Sequence, residues 1–249
     1  MKNELKAAST PVPLAEKSTV NEIRARFDNE VERFSQLETG QQATMDAALV
    51  LELVATAATT HLHPGDTILD LGCGAGNFTL RVLQEVSPLV CHLVDLSQPM
   101  LERARQRIQA AGTASVIVHQ TDLRQLDLAG NSVDCIVAGA VLHHLRAESD
   151  WLEVFTRLHQ WLKPNGRLYV ADLVVCDDPK IQELMWWRFG THLESIGGVE
   201  YRNKVFAYIE KEDSPRSLPF QLGLLHQAGF SQYDVLHRNG TNACYYAVK

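Results

Sequence analysis

The sequence predicts an α/β fold: a mostly parallel sheet flanked by helices, with an antiparallel last strand. Three observations predict it. Short apolar runs alternate with helical stripes between Thr67 and Leu173. One such run, Ile68–Leu71, leads straight into a glycine-rich turn. Near the C-terminus, two alternating segments flank Arg238-Asn239-Gly240-Thr241, whose Asn-Gly step is a strong hairpin signal.

The elements follow in order. Residues 1–18, with Pro11 and Pro13, read as a flexible arm. Val20, Ile23, Phe27, Val31 and Phe34 recur at helical spacing and predict an amphipathic helix over about 20–36. Met45, Leu49, Leu53 and Ala57 predict a second over about 43–61, stopped by His63-Pro64-Gly65-Asp66. A strand over 67–71, a helix over 77–85 and a strand over 90–95 come next. Met100, Leu101, Ala104, Ile108 and Ala111 then stripe a helix, followed by strands over 115–119 and 133–138. Trp151, Leu152, Phe155, Leu158 and Leu162 mark another helix, ended by Lys163-Pro164-Asn165-Gly166 before a fifth strand, 167–173.

The last third has a different character. Residues 178–196 and 203–211 look helical with poor periodicity, whereas Leu218, Leu222, Leu225 and Ala228 form a clear helix closed by Gly229. Strands over 233–237 and 243–248 complete the chain. One domain is expected over 19–249, with a helical cap over 19–62 and a helical insert over 176–216 forming a lid.

Composition narrows the function. The chain has 249 residues, is 45% hydrophobic and carries a net charge of −7, which fits one globular domain and disfavours a broad nucleic-acid surface. No apolar run approaches the roughly eighteen residues of a membrane span, and the N-terminus lacks the apolar core of a signal peptide. A cytoplasmic location is the expectation. The five cysteines form no CxxC pair and the ten histidines show no ligand spacing, so no metal is expected.

The chemistry centres on Asp70-Leu71-Gly72-Cys73-Gly74-Ala75-Gly76. Glycines there allow a tight strand-to-helix path and let a ligand approach the main chain, while first-turn amides face an anion. Asp95 ends the next strand and could accept both hydroxyls of a ribose; Asp122 follows the third strand and could take an adenine amine.

These stretches resemble class I S-adenosylmethionine-dependent methyltransferases. LDLGCGAGNFT is similar to their first motif, LVDLSQPMLERAR to the second and HQTDLRQL to the third; VDCIVAGAVLHHL and LHQWLKPNGRLYVADL resemble the later core motifs. The resemblance implies a Rossmann-like seven-stranded sheet and S-adenosyl-L-methionine as cofactor. It implies that Gly72, Cys73, Gly74 and Gly76 cradle the methionyl end, with Asp70 orienting the loop through backbone amides. Asp95 would hold the ribose, Leu96 and Met100 would flank the adenine, and Asp122 and Leu123 would bind and stack on it. Ala138 and Gly139 would bring the fourth strand's end against the cofactor.

The acceptor side is less defined. His143 follows the fourth strand and could act as a general base. Trp187, Tyr201 and Arg202 in the insert are candidate acceptor contacts, the stripe Phe27–Val31–Phe34 reads as lid packing, and Cys73 reads as a packing residue rather than a nucleophile. Methyl transfer to a small-molecule acceptor is the expected activity, with no membrane partner, a nucleic-acid partner disfavoured by the acidic balance but an RNA acceptor left open, and homodimerisation left open. The FDNEVERF segment and the ending LHQAGFSQYDVLHRNGTNACYYAVK also resemble the carboxy-S-adenosylmethionine synthase branch, which makes that activity the alternative, with Arg202 and Arg216 as candidates for the extra carboxylate. A non-catalytic cofactor-binding module and a nicotinamide-linked dehydrogenase are the other readings; the latter would want glycine at Asn77.

Overall fold

A computed structural model describes residues 13–36, 41–113 and 115–249. The arm expected over 1–18 therefore lies largely outside the described residues. Helix α1 (Val20–Asp28) starts at a capping box, in which the Thr19 amide donates to Glu22 and the Glu22 amide to the Thr19 hydroxyl. The single helix expected over 20–36 is instead two, because Asn29 turns its side-chain amide back onto the Ala25 carbonyl at 2.7 Å and competes with the helical ladder. Helix α2 (Val31–Phe34) resumes after the break.

Helix α3 (Ala47–Thr59) also starts later than expected. Asp46 before it adopts a left-handed conformation, φ 57°, and its carboxylate accepts from Asn239 and pairs with His237. The core then alternates as the pattern predicts: β1 (Thr67–Leu71), α4 (Asn77–Leu83), β2 (Val90–Asp95), α5 (Gln98–Ala110), β3 (Ser115–Gln120) and β4 (Val133–Gly139), then α6 (Glu148–Trp161) and β5 (Leu162–Leu173). The expected turn at Lys163–Gly166 lies inside β5 as an irregularity. β4 pairs Val133 with Leu162 and then Cys135 with Arg167, so the turn residues bulge without ending the strand.

The insert is one long helical element, α7 (Pro179–Glu212), bent at Gly197 and Gly198. Trp186 stacks on Phe206 at 4.9 Å and Arg202 pairs with Glu194, so its two arms fold back on each other as a helical hairpin. Helix α8 (Leu218–Ala228) and strands β6 (Gln232–Asn239) and β7 (Asn242–Val248) finish the fold.

The seven strands lie in the order β3-β2-β1-β4-β5-β7-β6, with β7 antiparallel to both neighbours. Apolar clusters cover each face of the sheet, one around Trp151 and Phe155 and one around Val54 and Ile108. A third, around Phe189, Leu193 and Ile209, ties the insert to the end of β5 at Leu173. Strand order reverses between β1 and β4, the switch point where open α/β sheets leave a crevice at their carboxyl ends. Among the described residues, no helix is long and apolar enough to cross a membrane.

Candidate active site

One cavity opens at that crevice. On its donor side, β1 runs into the glycine loop, whose Gly72, Gly74 and Gly76 all have positive φ. Gly74 has φ 49° and faces open space: a Cβ there would meet nothing within 4 Å. Its amide donates to Asp95 Oδ2 at 2.9 Å, and the Ser97 amide donates to Oδ1 at 2.9 Å. Burial pushes the Asp95 carboxyl up, with these amides opposing it. Asp95 thus locks the loop to the end of β2 and keeps a lone pair on each oxygen for a ligand.

Gly72, Cys73, Leu96 and Met100 share this wall with Gly74 and Asp95, and Asp122, Leu123 and Gly139 join it from the ends of β3 and β4. Burial pushes the Cys73 thiol well up, which suits a packing residue. Asp122 is already engaged. Arg124 donates to both of its oxygens, at 3.0 and 2.5 Å, and outweighs burial to hold it below the usual carboxylate range. A sequence search for acids finds Asp122 but not the Arg124 clamp two residues on.

Three expected residues stand behind the wall. Asp70 is fully buried and accepts from the Thr79 hydroxyl at 2.7 Å, so it fixes the start of α4, and its described partner is not a loop amide. Burial raises it to about 7 against the Thr79 hydrogen bonds. Gly76 packs α4 on α5, where a Cβ would stand 2.9 Å from Ile108 Cδ1. Ala138 is spent on the sheet, paired with Leu71 and Val170.

The acceptor side is built from distant segments. His143 Nδ1 pairs with Asp172 Oδ1, and the His143 amide donates to Asp172 Oδ2 at 3.0 Å. His144 and Asp213 complete the cluster, and the Ser214 amide donates to the His143 carbonyl at 2.7 Å, which fastens the end of the insert over this turn. Burial would lower His143, but Asp172 and Asp213 outweigh it and push the ring up to about 9. The base role expected for His143 therefore requires that ring to lose its proton first.

The insert contributes other residues than expected. Trp187 is 54% exposed, Arg202 is taken by Glu194 and Asn203, and Tyr201 faces a separate groove on the outer side of Arg26; none of the three lines the cavity. Arg216 does not line it either. Phe189, Tyr208, Ile209 and Asp213 do, because they sit on the insert's buried stripe while the polar-flanked aromatics face outward. Of these, only Ile209 lies on a stripe legible at helical spacing, Val205–Ile209–Glu212. Phe27 and Phe34, read as lid packing ahead of substrate contact, line the cavity with rings 5.7 Å apart, whereas Val31 does not. Arg26 joins cap and insert: its guanidinium donates to Glu212 three times, at 2.6 to 2.9 Å, and lies over the Phe27 ring. His143, His144 and Asp213 also form a potential ligand set that linear spacing concealed.

Comparison with known proteins accords with this architecture. Residues 68–166 match a methyltransferase domain family. A demethylmenaquinone methyltransferase of Lactiplantibacillus plantarum is 26% identical over 78% of this chain and 83% of its own length. A carboxy-S-adenosyl-L-methionine synthase of Escherichia fergusonii is 26% identical over 75% of this chain and 76% of its own. In structure, a Haemonchus contortus phosphoethanolamine N-methyltransferase, solved with phosphomonomethylethanolamine and S-adenosylhomocysteine, superposes with TM-score 0.64 at 16% identity, covering 93% of this chain and 61% of that one. At that identity the likeness is one of fold.

Proposed function

We propose that this chain, which belongs to the class I S-adenosylmethionine-dependent methyltransferase superfamily and uses S-adenosylmethionine as methyl donor, transfers the methyl in line to a small-molecule acceptor. The observation that carries the proposal is the continuity of one cavity, with the Gly74–Asp95 wall on one side and Phe27, Phe34, His143 and Tyr208 on the other.

The donor wall fits the cofactor. Gly74 leaves the space that a Cβ would take, and Asp95 keeps acceptor capacity toward two ribose hydroxyls. Asp122, steadied by Arg124, stands where an adenine amine would donate. Bound S-adenosylmethionine supplies a methyl already activated on a sulfonium, so orientation can provide most of the acceleration. The protein's part is then to position and to exclude water. Phe27, Phe34 and Phe189 offer apolar surface, while Arg26 and Glu212 hold the cap against the insert. His143 lines the acceptor end of the cavity in this reading, and proton removal is not demanded of it.

The test has two stages. Calorimetry should show micromolar or tighter S-adenosylhomocysteine binding, and a methyl-release screen across small-molecule pools should then find turnover. Binding without release from any pool, coupled with methylation of RNA, would overturn the small-molecule assignment. Mass spectrometry of a co-purifying ligand also separates a carboxylated cofactor from the ordinary one.

A further inference from the structure

Three groups that the sequence scatters meet at the acceptor end of the cavity. One ligand atom each from His143, His144 and Asp213 lies within 4.8 Å of the other two. Asp213 Oδ1 is 3.8 Å from His143 Nε2 and 3.2 Å from His144 Nδ1. Donors that share one small cation at bonds of about 2.1 Å stand roughly 3.0–3.4 Å apart; Asp213 and His144 already meet this, and the other pairs, within 4.8 Å, must draw in to close the set.

Two independent features point to a ligand. First, Asp213 Oδ1 and His144 Nδ1 are buried and, among the described residues, have only each other, 3.2 Å apart and out of hydrogen-bond alignment, although Asp213 as a whole is only 5% exposed. Buried polar atoms are rarely left so in native proteins. A proton on His143 does not resolve this, because 3.8 Å is too long for a hydrogen bond to Asp213, and His144 meets that oxygen at 3.2 Å as an ion pair out of hydrogen-bond alignment. Second, His143 Nδ1 is held by Asp172, which leaves Nε2 directed at the cluster. Ligating histidines characteristically spend their other ring nitrogen on a carboxylate, which fixes tautomer and orientation. Asp172 is in turn fixed by the His143 and Leu173 amides.

We propose that His143, His144 and Asp213 bind one divalent first-row transition ion, with two imidazoles and one carboxylate as ligands and the remaining positions open to the cavity. Two nitrogens and one oxygen favour zinc, iron or cobalt over magnesium or calcium, which prefer all-oxygen shells. An acceptor hydroxyl or thiol in an open position is acidified and held there, as metal-bound water is. The ion site stands on the geometry above; only this use of it rests on the methyl-transfer reading.

Tag-free, full-length protein incubated with Co(II) and then desalted is the test, read by elemental analysis and visible d–d absorption. S-adenosylhomocysteine affinity is measured on the same sample. The expected result is one equivalent per chain, at least tenfold lower retention in Asp213→Asn and His144→Gln, and S-adenosylhomocysteine affinity unchanged within about twofold. Should Asp213→Asn not fold, His144→Gln carries the reading. Failure of the parent to retain Co(II) while binding S-adenosylhomocysteine would overturn the site, as would equal retention by His144→Gln. Co(II) retained without S-adenosylhomocysteine binding would uphold the site and count against the methyl-transfer reading.

Discussion

The two walls of the cavity are built on different principles. On the donor wall, partners are near in sequence: Asp95 holds the amide of Ser97, two residues on, and of Gly74, 21 residues back, and Asp122 is held by Arg124. On the acceptor wall, His143 is held by Asp172 at a separation of 29 residues, and Arg26 by Glu212 at 186. The donor wall hangs on consecutive strand ends and is fixed once the sheet forms. The acceptor wall exists only when cap and insert have docked on it. The wall around the glycine loop can thus be kept while the cap and the insert remodel what stands opposite.

The largest expected effect breaks the donor wall alone. Asp95→Ala removes two buried charge-assisted acceptors, each worth about 1.5–3 kcal/mol, and should weaken S-adenosylhomocysteine binding by about 100-fold or more. Calorimetry checks this; an affinity within threefold of the parent would mean that Asp95 serves the loop and not the ligand.

Glu212→Ala acts on the other wall. It strips Arg26 of its partner, and since Glu212 is 8% and Arg26 23% exposed, a loss of about 2 kcal/mol is expected after allowing for solvent screening. Thermal melts should show it, with faster hydrogen exchange in α1 and little change in S-adenosylhomocysteine affinity. Equal weakening of the donor would show that the two walls are not independent.

Two glycines sharpen the contrast within the donor wall. A Cβ on Gly139 would overlap the Phe78 ring, so Gly139→Ala should cost about 1–3 kcal/mol of stability. Gly74→Ala meets no protein atom, so beyond its left-handed strain of about 1 kcal/mol its effect should fall on cofactor affinity. Melting and binding measured on both variants should therefore rank them in opposite orders.

The smallest effect is a slope. Asp70 binds its proton up to about pH 7 in the folded chain and only to about 3.8 when unfolded. Over that window the native state holds more protons, so this carboxyl makes stability fall as pH rises, levelling off above 7. His61, pushed down to about 4 chiefly by burial, slopes the other way between 4 and 6.5. The reading is therefore the difference between Asp70→Asn and the parent in denaturant melts from pH 4 to 8. An unchanged slope would place the ionised form comfortably beside Thr79.

The sequence by itself determined the sheet, its crossovers and most of the wall around the glycine loop, with Asp70, Gly76 and Ala138 standing behind it. Apolar runs of period two, stripes of period 3.6 and the glycine turn are local signals, and each of β1 to β4 matches its expected span within one residue. Two helix ends differ from expectation for different reasons. α3 begins where Asp46 meets the distant C-terminal hairpin, whereas α1 stops at a local competitor, Asn29 turned on its own helix. On the opposite wall the sequence pointed to His143, and tertiary structure decided the rest. Trp187 and Arg202 carry suggestive chemistry on the outward face of α7, while Asp213, unremarkable in a polar stretch, is turned inward beside two histidines. Which face of a poorly periodic helix is buried depends on what it docks against, and that information is spread over 186 residues of chain between Arg26 and Glu212.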